Sequence, residues 1–352
     1  MNALPSGQAL PGTRGKTGWW RRLLGNGVLL GLLAFAIVLW LNREDLPGIG
    51  AVLLDLPAAL AISAAVHLPQ IVSTGLAWRA LVPAAMRPRR RSMALLRWYR
   101  ESANALLPAG ALVGQAAVAR LLARRGVRGD IAGATATVDL TIEAVSQFAF
   151  TLAGFALLLA GGAGGNIAGV AISGIGLAAL MVVLMVGAQR HLPLRGLERL
   201  LTWLSRRWPR LEPAWIGSFQ AAVLRLHADR RAMGTAMAWH LFAWALGAVE
   251  IMGVLALLGH DVSLADALII ESVAQALRNA GFMLPGALGV QEGAIIAAAA
   301  LVGVPAGPAL TTALVRRARE VLFGLPGLIA WRRTHRADAA RQGAAARTGE
   351  SS

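Results

Sequence analysis

MLPGALGVQEGA, residues 283–294, places one proline, three glycines, a glutamine and a glutamate inside one of the most apolar stretches of the chain. Proline removes a backbone N–H donor and glycine permits a tight reversal, so this combination predicts a break in a helix. We expect the break at Pro285 and Gly286, with a short helix starting near Gly289. In a membrane, such a half-helix would direct its unpaired N–H groups and positive dipole end inward, where an anionic head group could bind beside Glu292.

The composition of the whole chain predicts an integral membrane protein. Its 352 residues are 56% hydrophobic, and its mean hydropathy is +0.58. Several apolar runs approach the roughly 20 residues that span a bilayer. The formal net charge of +16 could also indicate a nucleic-acid binder, but the arginine clusters fall between apolar runs. The positive-inside rule and contact with anionic lipids produce that distribution, so we expect membrane lipids and not nucleic acid as partners.

The sequence disfavours several kinds of chemistry. It has no cysteine, which excludes disulfides, thiolate nucleophiles and cysteine-bound metals. Its six histidines show no paired ligand spacing such as HExxH and are expected at interfaces or in packing. No Walker-type phosphate loop occurs, so direct use of ATP is not expected. We therefore expect neither a metal nor a cofactor.

Hydropathy predicts an all-α integral membrane protein with about six transmembrane helices and two re-entrant broken-helix hairpins. The predicted spans are residues 23–41, 52–78, 131–159, 167–186, 233–258 and 309–331. Two apolar segments remain, residues 93–123 and 264–302. Each must begin and end on the same side of the membrane, because only then do all the basic segments lie on one side of it. The first run is longer than a signal-peptide core and no small-residue cleavage site follows it, so we expect it to be retained.

Basic segments set the predicted orientation of the single membrane domain, residues 23–331. They are the N-terminus at 1–22, the stretches at 79–100 and 120–128, a segment at 190–231 with leucines at helical spacing, and a tail at 332–352 that we expect to be disordered. The turns at the opposite ends of the spans are neutral or acidic. Both termini are therefore predicted to be cytoplasmic.

The chain contains an internal repeat over about residues 93–160 and 264–331. A shift of 177 positions aligns LLPAGALVGQAAVARLLARRGV (106–127) with MLPGALGVQEGAIIAAAALVGV (283–304) without a gap. This register pairs Pro108 with Pro285, Gln115 with Glu292, Gly126 with Gly303, Asp139 with Arg316, and Glu143 with Glu320. Three predicted spans lie between the starts of the copies, so the second copy should be inverted. Many transporters have this architecture, with a site near the midplane of the membrane.

Ionisable residues within the predicted spans mark a candidate site, because each costs at least about 2.5 to 3.5 kcal/mol at a helix centre. Asp139 and Glu143 are four residues apart and therefore share one face of the third span. The alternative is that one of these acids pairs with Arg316 or Arg319 and locks the two repeats together. A charged ligand could still open such a pair.

Further polar residues lie on the last span and before each break. On the last span Arg316, Arg319 and Glu320 should share a face, with Arg317 directed away from it. The sets before the breaks are Arg97, Arg100, Glu101 and Asn104 in the first copy and Glu271, Gln275, Arg278 and Asn279 in the second; they could equally be interfacial anchors. The candidate substrate-binding residues are Arg100, Asn104, Gln115, Asp139, Glu143, Arg278, Asn279, Glu292, Arg316, Arg319 and Glu320, and the helix-break residues are Pro108, Pro285, Gly286 and Gly289.

Several of these stretches resemble the flippase-like membrane region of lysylphosphatidylglycerol synthases. Within that superfamily, they are most similar to the stand-alone proteins associated with hopanoid biosynthesis. They are HLPQ (67–70), AWRAL (77–81), RWYRESANALLP (97–108), ESVAQALRNAGFMLPGALGVQEGA (271–294) and LVRRAREVLFGLPGL (314–328). The resemblance implies a bacterial inner-membrane protein with a lipid-translocation-like domain that acts on polar lipids or hopanoid derivatives.

Two departures limit what the resemblance implies. Family members commonly have an acid after the first Leu-Pro, and this chain has Gln115 at that position. The synthases also carry a soluble aminoacyl-transferase domain after the membrane region, whereas this chain stops about 20 residues after its last predicted span. Lysyl transfer is therefore not expected.

Three functions remain open from the sequence. The first is a lipid translocator in which Arg278, Arg316 and Arg319 bind anionic oxygen while Glu292 and Glu320 control access. The second is a membrane enzyme with an acidic general base, although no nucleophile, metal set or nucleotide loop supports it. The third is a scaffold that holds lipid-biosynthetic enzymes on the basic segment at 190–231. The sequence favours a transporter over an enzyme.

Overall fold

The computed structural model describes residues 49–107, 110–161, 213–280 and 289–349, together with the isolated positions 176, 183 and 187. Within these residues the chain is helical, with one short 3-10 turn at Ala84–Met86 and no β-strand. The α-helices of this part are α1 Ile49–Leu81, α2 Arg90–Leu106, α3 Gly110–Ala123, α4 Gly129–Ala160, α5 Pro213–Ala228, α6 Arg230–Leu257, α7 Leu264–Ala280, α8 Val290–Ala300 and α9 Ala306–Gly349.

Three of the described helices are long and apolar enough to cross a membrane. They are Asp55–Leu81 within α1, Gly129–Ala160 (α4) and Arg230–Leu257 (α6), which agree with the second, third and fifth predicted spans. The first and fourth predicted spans, 23–41 and 167–186, lie outside the described residues except for positions 176 and 183. The last predicted span falls within α9, which carries four charged residues within five positions, 316–320. The all-α membrane fold class is confirmed, and the total of six spans stays a prediction.

Local capping signals determine where two of the helices start. The carboxylate of Asp229 accepts a hydrogen bond from the Ala232 backbone N–H (2.9 Å) at the start of α6. Before α7, the Ser263 hydroxyl accepts from the Asp266 N–H (3.1 Å), and the Asp266 carboxylate accepts from the Ser263 N–H (3.2 Å). Gly259, with φ of 78°, permits the reversal between these two helices.

The described residues contain a helix end just before the first predicted break and a helix start just after the second. Helix α2 ends at Leu106 and α3 begins at Gly110, and α7 ends at Ala280 before α8 begins at Val290. Gly289 precedes α8 with φ of 79°, which agrees with the predicted start of the half-helix. The residues Pro108, Pro285 and Gly286 themselves lie outside the described residues.

The two copies of the repeat share the turn that follows the short helix. Gly126 has φ of 93° and Gly303 has φ of 78°, a region that favours glycine. The N–H of each donates to a carbonyl three residues earlier, at Ala123 and Ala300, over 3.2 Å in both copies. The helices that follow, α4 and α9, begin at Gly129 and Ala306, which keeps the shift of 177 found in the sequence. The inverted, re-entrant orientation of the copies stays a prediction.

Each copy packs its first helix against the last helix of the other copy, so α2 contacts α9 and α7 contacts α4. Glycines permit both close approaches. An added Cβ at Gly327 would lie 2.0 Å from Ser102 Oγ, and one at Gly154 would lie 1.7 Å from Ser272 Oγ. The helices before the copies, α1 and α6, pack along each other in the centre of the described bundle. This arrangement creates two seams, α2–α9 and α4–α7.

We expect Gly154→Ala to lower the free energy of unfolding in detergent by about 1 to 3 kcal/mol, because the new methyl group collides with buried Ser272. The matched control is Gly234→Ala in α6, where no atom lies within 4 Å of an added Cβ. That control should stabilise the protein by about 0.5 to 1 kcal/mol through its higher helix propensity. Equal effects of the two substitutions on the unfolding midpoint would contradict the close α4–α7 seam.

The structure differs from the prediction of a disordered tail at 332–352. Helix α9 continues without interruption to Gly349. The tail is rich in alanine and arginine, both strong helix formers, so the helix can propagate beyond the membrane segment without a new nucleation step.

The C-terminal part of the basic segment 190–231 forms α5, which packs on α4. Val223 and Leu226 are buried there against Ala134, Val138 and Ile142 of α4. Residues 190–212 lie outside the described residues.

Candidate functional site

Charged side chains from the described helices meet in three networks. The first network consists of Arg97, Arg100, Glu101, Asp139, Glu143 and His240. The second consists of Glu250, Glu271, Arg316 and Arg319. The third consists of Arg278, Gln291, Glu292, Arg317 and Glu320.

The first network joins α2 to α4 and α6. The guanidinium of Arg97, 4% exposed, lies 2.5 Å from Glu143 Oε1 and 3.4 Å from Asp139 Oδ2. Arg100 contacts the same two acids, at 2.7 Å from Glu143 and 3.6 Å from Asp139. The second oxygen of Asp139 lies 3.1 Å from His240 Nε2. The two acids predicted on one face of the third span therefore face the same pair of arginines.

Glu101 connects the first network to α1. Its Oε1 accepts from Arg97 Nε over 3.0 Å, and Thr74 Oγ1 lies 3.5 Å from the same oxygen. Its Oε2 lies 3.7 Å from His67 Nε2 and has no hydrogen-bond partner in the described part of the chain. His67 in turn contacts the ring of Phe323 edge-on at 5.1 Å, which places α9 next to this network.

The second network joins α6, α7 and α9. Arg316 Nη1 donates to Glu271 Oε2 over 2.7 Å, and its Nη2 lies 3.4 Å from Glu250 Oε2. Arg319 donates to the same Glu250 oxygen over 2.6 Å. The other Glu250 oxygen accepts from the Ser63 hydroxyl of α1 over 2.5 Å. All four ionisable residues are nearly inaccessible, so the network is closed by its own ion pairs.

The third network is centred on Glu320 of α9. Its carboxylate accepts from Arg317 Nη1 over 2.8 Å and from Gln291 Nε2 over 3.0 Å. Arg278 of α7 lies 3.8 Å from Glu320 and is the most exposed cation of the three networks, at 27% of its side chain. This network therefore carries the cation that a ligand reaches most easily.

Glu292 caps its own helix. Its Oε2 accepts a hydrogen bond from the Gly289 backbone N–H over 2.7 Å, which satisfies a donor at the start of α8. Its Oε1 accepts from Arg317 Nε over 2.9 Å, and the side chain is fully buried. The positive end of α8 is therefore occupied by a carboxylate of this chain.

Two expectations about pairing are wrong. Asp139 and Glu143 do not pair with Arg316 or Arg319, because α4 packs mainly on α7, α5 and α6, whereas α9 packs mainly on α2, α8 and α1. Arg317 is not directed away from the charged face of α9. It lies three residues from Glu320, within one helical turn, and pairs with it.

The other predicted site residues are placed less centrally. Asn104 is exposed at the end of α2. The amide nitrogen of Gln115 donates to the Ala136 carbonyl, and its buried oxygen has no hydrogen-bond partner among the described residues. The side chain of Asn279 lies outside the described residues.

Three functional candidates were missed from the sequence: His67, His240 and Glu250. Glu250 interrupts the apolar run 233–258, so an acid inside a predicted span was the available signal. His240 lies in the same run, but a single histidine carries no ligand spacing and no charge partner is visible from the sequence.

The three networks pair positive and negative side chains within the described residues. Two arginines face two glutamates in the second network, and likewise in the third. Arg316 Nε and Arg319 Nε are buried and make no hydrogen bond in the described part of the chain. No group of three metal-ligating residues occurs there. The free donor positions suit anionic oxygen, which accepts hydrogen bonds from guanidinium groups.

We expect Glu292→Gln to cost less unfolding free energy than Glu292→Ala, because the amide oxygen can still accept from the Gly289 N–H, although the amide NH2 then faces the donor Arg317 Nε. Glu292→Ala removes the cap and should cost about 1 to 2 kcal/mol of unfolding free energy. Unfolding in detergent and lipid exchange in liposomes check both variants. Loss of exchange in the stable glutamine variant would instead identify Glu292 as a proton carrier.

Comparison with known proteins places the chain among membrane proteins. The profile of the family described as the lysylphosphatidylglycerol synthase TM region matches residues 27–327. No curated protein and no solved structure matches the chain. The match covers both copies of the repeat and all three networks, and the chain therefore belongs to the family of the lysylphosphatidylglycerol synthase transmembrane region, membrane proteins related to lipid metabolism or translocation.

Proposed function

We propose that this protein translocates a polar or anionic lipid between the leaflets of a bacterial inner membrane, with both termini in the cytoplasm. The observation that carries the proposal is the second network. Arg316 and Arg319 of α9 are buried, and they pair with Glu250 of α6 and Glu271 of α7. Each retains a guanidinium donor with no hydrogen-bond partner in the described part of the chain.

Buried ion pairs of this kind suit an exchangeable site. Desolvation of two charges can exceed their mutual attraction, so a buried pair is weak evidence for a purely stabilising role. An anionic head group carries the same oxygen chemistry as Glu250 and Glu271 and can take their place on the arginines. The network is closed in this structure, so the ligand must open it, and Arg278 at the edge of the third network is the accessible cation that can contact the ligand first.

The packing of the two copies supports alternating access. Each seam joins the first helix of one copy to the last helix of the other, so opening one seam can close the other. His67 and Glu101 link the first network to Phe323 of α9, and Ser63 links α1 to the second network. Helix α1 therefore contacts both networks and can couple their states.

The direct test places the full chain in liposomes that contain a fluorescent phosphatidylglycerol, and it measures how much label becomes accessible to a reductant that cannot cross the membrane. We expect phosphatidylglycerol to exchange faster with the protein than in protein-free liposomes. With the protein present, the matched phosphatidylcholine should exchange more slowly than phosphatidylglycerol. Exchange at the protein-free rate for both lipids would contradict the proposal.

Leaflet-resolved lipid analysis of a deletion strain would identify the natural substrate. We expect unchanged total lipids, with one species, such as a hopanoid derivative or an anionic phospholipid, retained in the inner leaflet. A lipid that is missing or that accumulates would favour the alternatives of an enzyme or of a scaffold for lipid-biosynthetic enzymes. Co-purification of such enzymes that depends on segment 190–231 but not on the three networks would support the scaffold.

A further inference from the structure

A cleft lined by arginines lies where the end of α1 meets the starts of α2 and α6. Two adjoining cavities, of about 400 and about 210 Å³, share Ala80, Arg87 and Thr235 in their walls. The remaining arginines of the walls are Arg79, Arg90 and Arg231. We call this feature the arginine cleft. It shares no residue with the three networks.

The cleft concentrates positive charge around one acid. Asp229 is the carboxylate in its walls, and that side chain caps α6 through the Ala232 N–H. Four arginines and one aspartate leave a local charge of about +3 at neutral pH. Arg90 and Arg231 are exposed and make no ion pair in the described part of the chain. The charge of the cleft is therefore available to an anion from outside.

Two of the arginines are held in place by backbone carbonyls. Arg87 Nε donates to the Val82 carbonyl over 3.0 Å, and Arg79 Nε donates to the Pro88 carbonyl over 2.8 Å. Arg87 Nη2 also donates to the Ala80 carbonyl over 3.4 Å, so Arg87 keeps Nη1 and Arg79 keeps its terminal nitrogens for another acceptor. The cleft is a fixed arrangement of donors and does not depend on flexible side chains alone.

The wall toward the apolar part of α1 and α6 is suited to an acyl chain. Leu76 and Trp239 line the smaller cavity below the arginines. Tryptophan favours the boundary between head groups and hydrocarbon, and arginine near that boundary attracts anionic lipid. The basic ends of these helices are also the ends predicted to face the cytoplasm. A free phosphate would use the arginines but not this apolar wall.

We propose that the arginine cleft binds the phosphate of an anionic phospholipid from the adjacent leaflet, with the acyl chain along Leu76 and Trp239. The site does not depend on translocation, so it can be tested whether or not the protein moves lipid. Its position at the junction of α1 and α6 means that a bound lipid would hold the central pair together.

The test uses the full chain in detergent and native mass spectrometry, with phosphatidylglycerol as the probe. We expect the double variant Arg90→Gln/Arg231→Gln to weaken binding at least about tenfold. The matched control is Arg89→Gln/Arg91→Gln, which removes two exposed arginines that do not line the cleft. The control should change binding by less than about threefold.

Three outcomes decide the assignment. Tenfold weaker binding in the cleft variant, with the control near wild type and with glycerol phosphate unable to compete, supports a lipid site. Equal losses in both variants would show diffuse attraction to a basic surface and overturn the proposal. Competition by inorganic phosphate or glycerol phosphate at the same concentration as the lipid would assign the cleft to a soluble phosphate and overturn the lipid assignment.

Discussion

Arg316→Ala is expected to abolish lipid exchange and to lower the free energy of unfolding by about 3 to 5 kcal/mol, because it leaves a buried carboxylate without its cation. Glu271 would keep only its hydrogen bond from Gln275, whereas Glu250 would keep Arg319. Exchange of labelled phosphatidylglycerol in liposomes measures the first effect, and unfolding in detergent measures the second. The exposed Arg332 of α9 supplies the control, and Arg332→Ala should change stability by less than about 0.5 kcal/mol.

A double variant separates a transport site from a structural lock. Arg316→Met/Glu271→Met removes the pair and leaves Arg319 with Glu250, so no buried charge is left without a partner. We expect it to regain most of the stability that the single variant loses, because apolar side chains of similar volume can replace a buried pair. Exchange should stay absent, since the anion-binding guanidinium is gone. A stable double variant with normal exchange would show that this pair only locks the helices.

The helix breaks and turns could be predicted from the sequence because they depend on local backbone chemistry. A positive φ favours glycine wherever it occurs, so Gly126, Gly289 and Gly303 indicate turns without knowledge of the neighbours. The three described spans could likewise be predicted, since hydropathy over one helix length is also a local property. Each break, turn or span can therefore be predicted from the residues of one continuous segment.

The pairing of charges could not be predicted in the same way. Helical periodicity shows which residues share a face of one helix, but it does not show which other helix that face meets. Asp139 and Arg316 carry opposite charges within predicted spans, so a pair between them is one alternative from the sequence, and they also occupy matching positions in the two copies. In the structure they lie in separate networks, because matching positions in a repeat are related by symmetry and need not touch.

The ionisable residues of the two copies differ in which helix carries the acids and which carries the arginines. In the first copy the last helix carries the acids, Asp139 and Glu143, and α2 carries the arginines. In the second copy the last helix carries the arginines, and α6 and α7 carry the acids. The matching positions Asp139 and Arg316 are therefore reversed in charge, whereas Glu143 and Glu320 are alike. The two copies can bind different parts of one polar head group.

Arg97→Met should have the largest effect on stability in the first network, a loss of about 3 to 5 kcal/mol or more. Arg97 contacts three carboxylates. Its removal leaves Asp139 and Glu143 to share Arg100 and leaves Glu101 with His67 at 3.7 Å. Like charges at this depth repel one another with little solvent to screen them. Urea or thermal unfolding of the purified protein in detergent checks the expected loss, and exchange in liposomes should fall with it.

Arg97→Lys tests whether geometry matters in addition to charge. A lysine keeps the positive charge, but its single ammonium cannot reproduce the planar fork that contacts Glu143 and Asp139 together. We expect an intermediate loss of about 1 to 2 kcal/mol, because charge-assisted hydrogen bonds are lost while the charges stay balanced. Arg91→Lys, exposed on the same helix, should be neutral. If Arg97→Lys were as destabilising as Arg97→Met, balance of charge would not be what holds α2 to α4. If it were neutral, the bidentate contacts would contribute nothing, and Arg97 would act only as a counter-charge to the acids of α4.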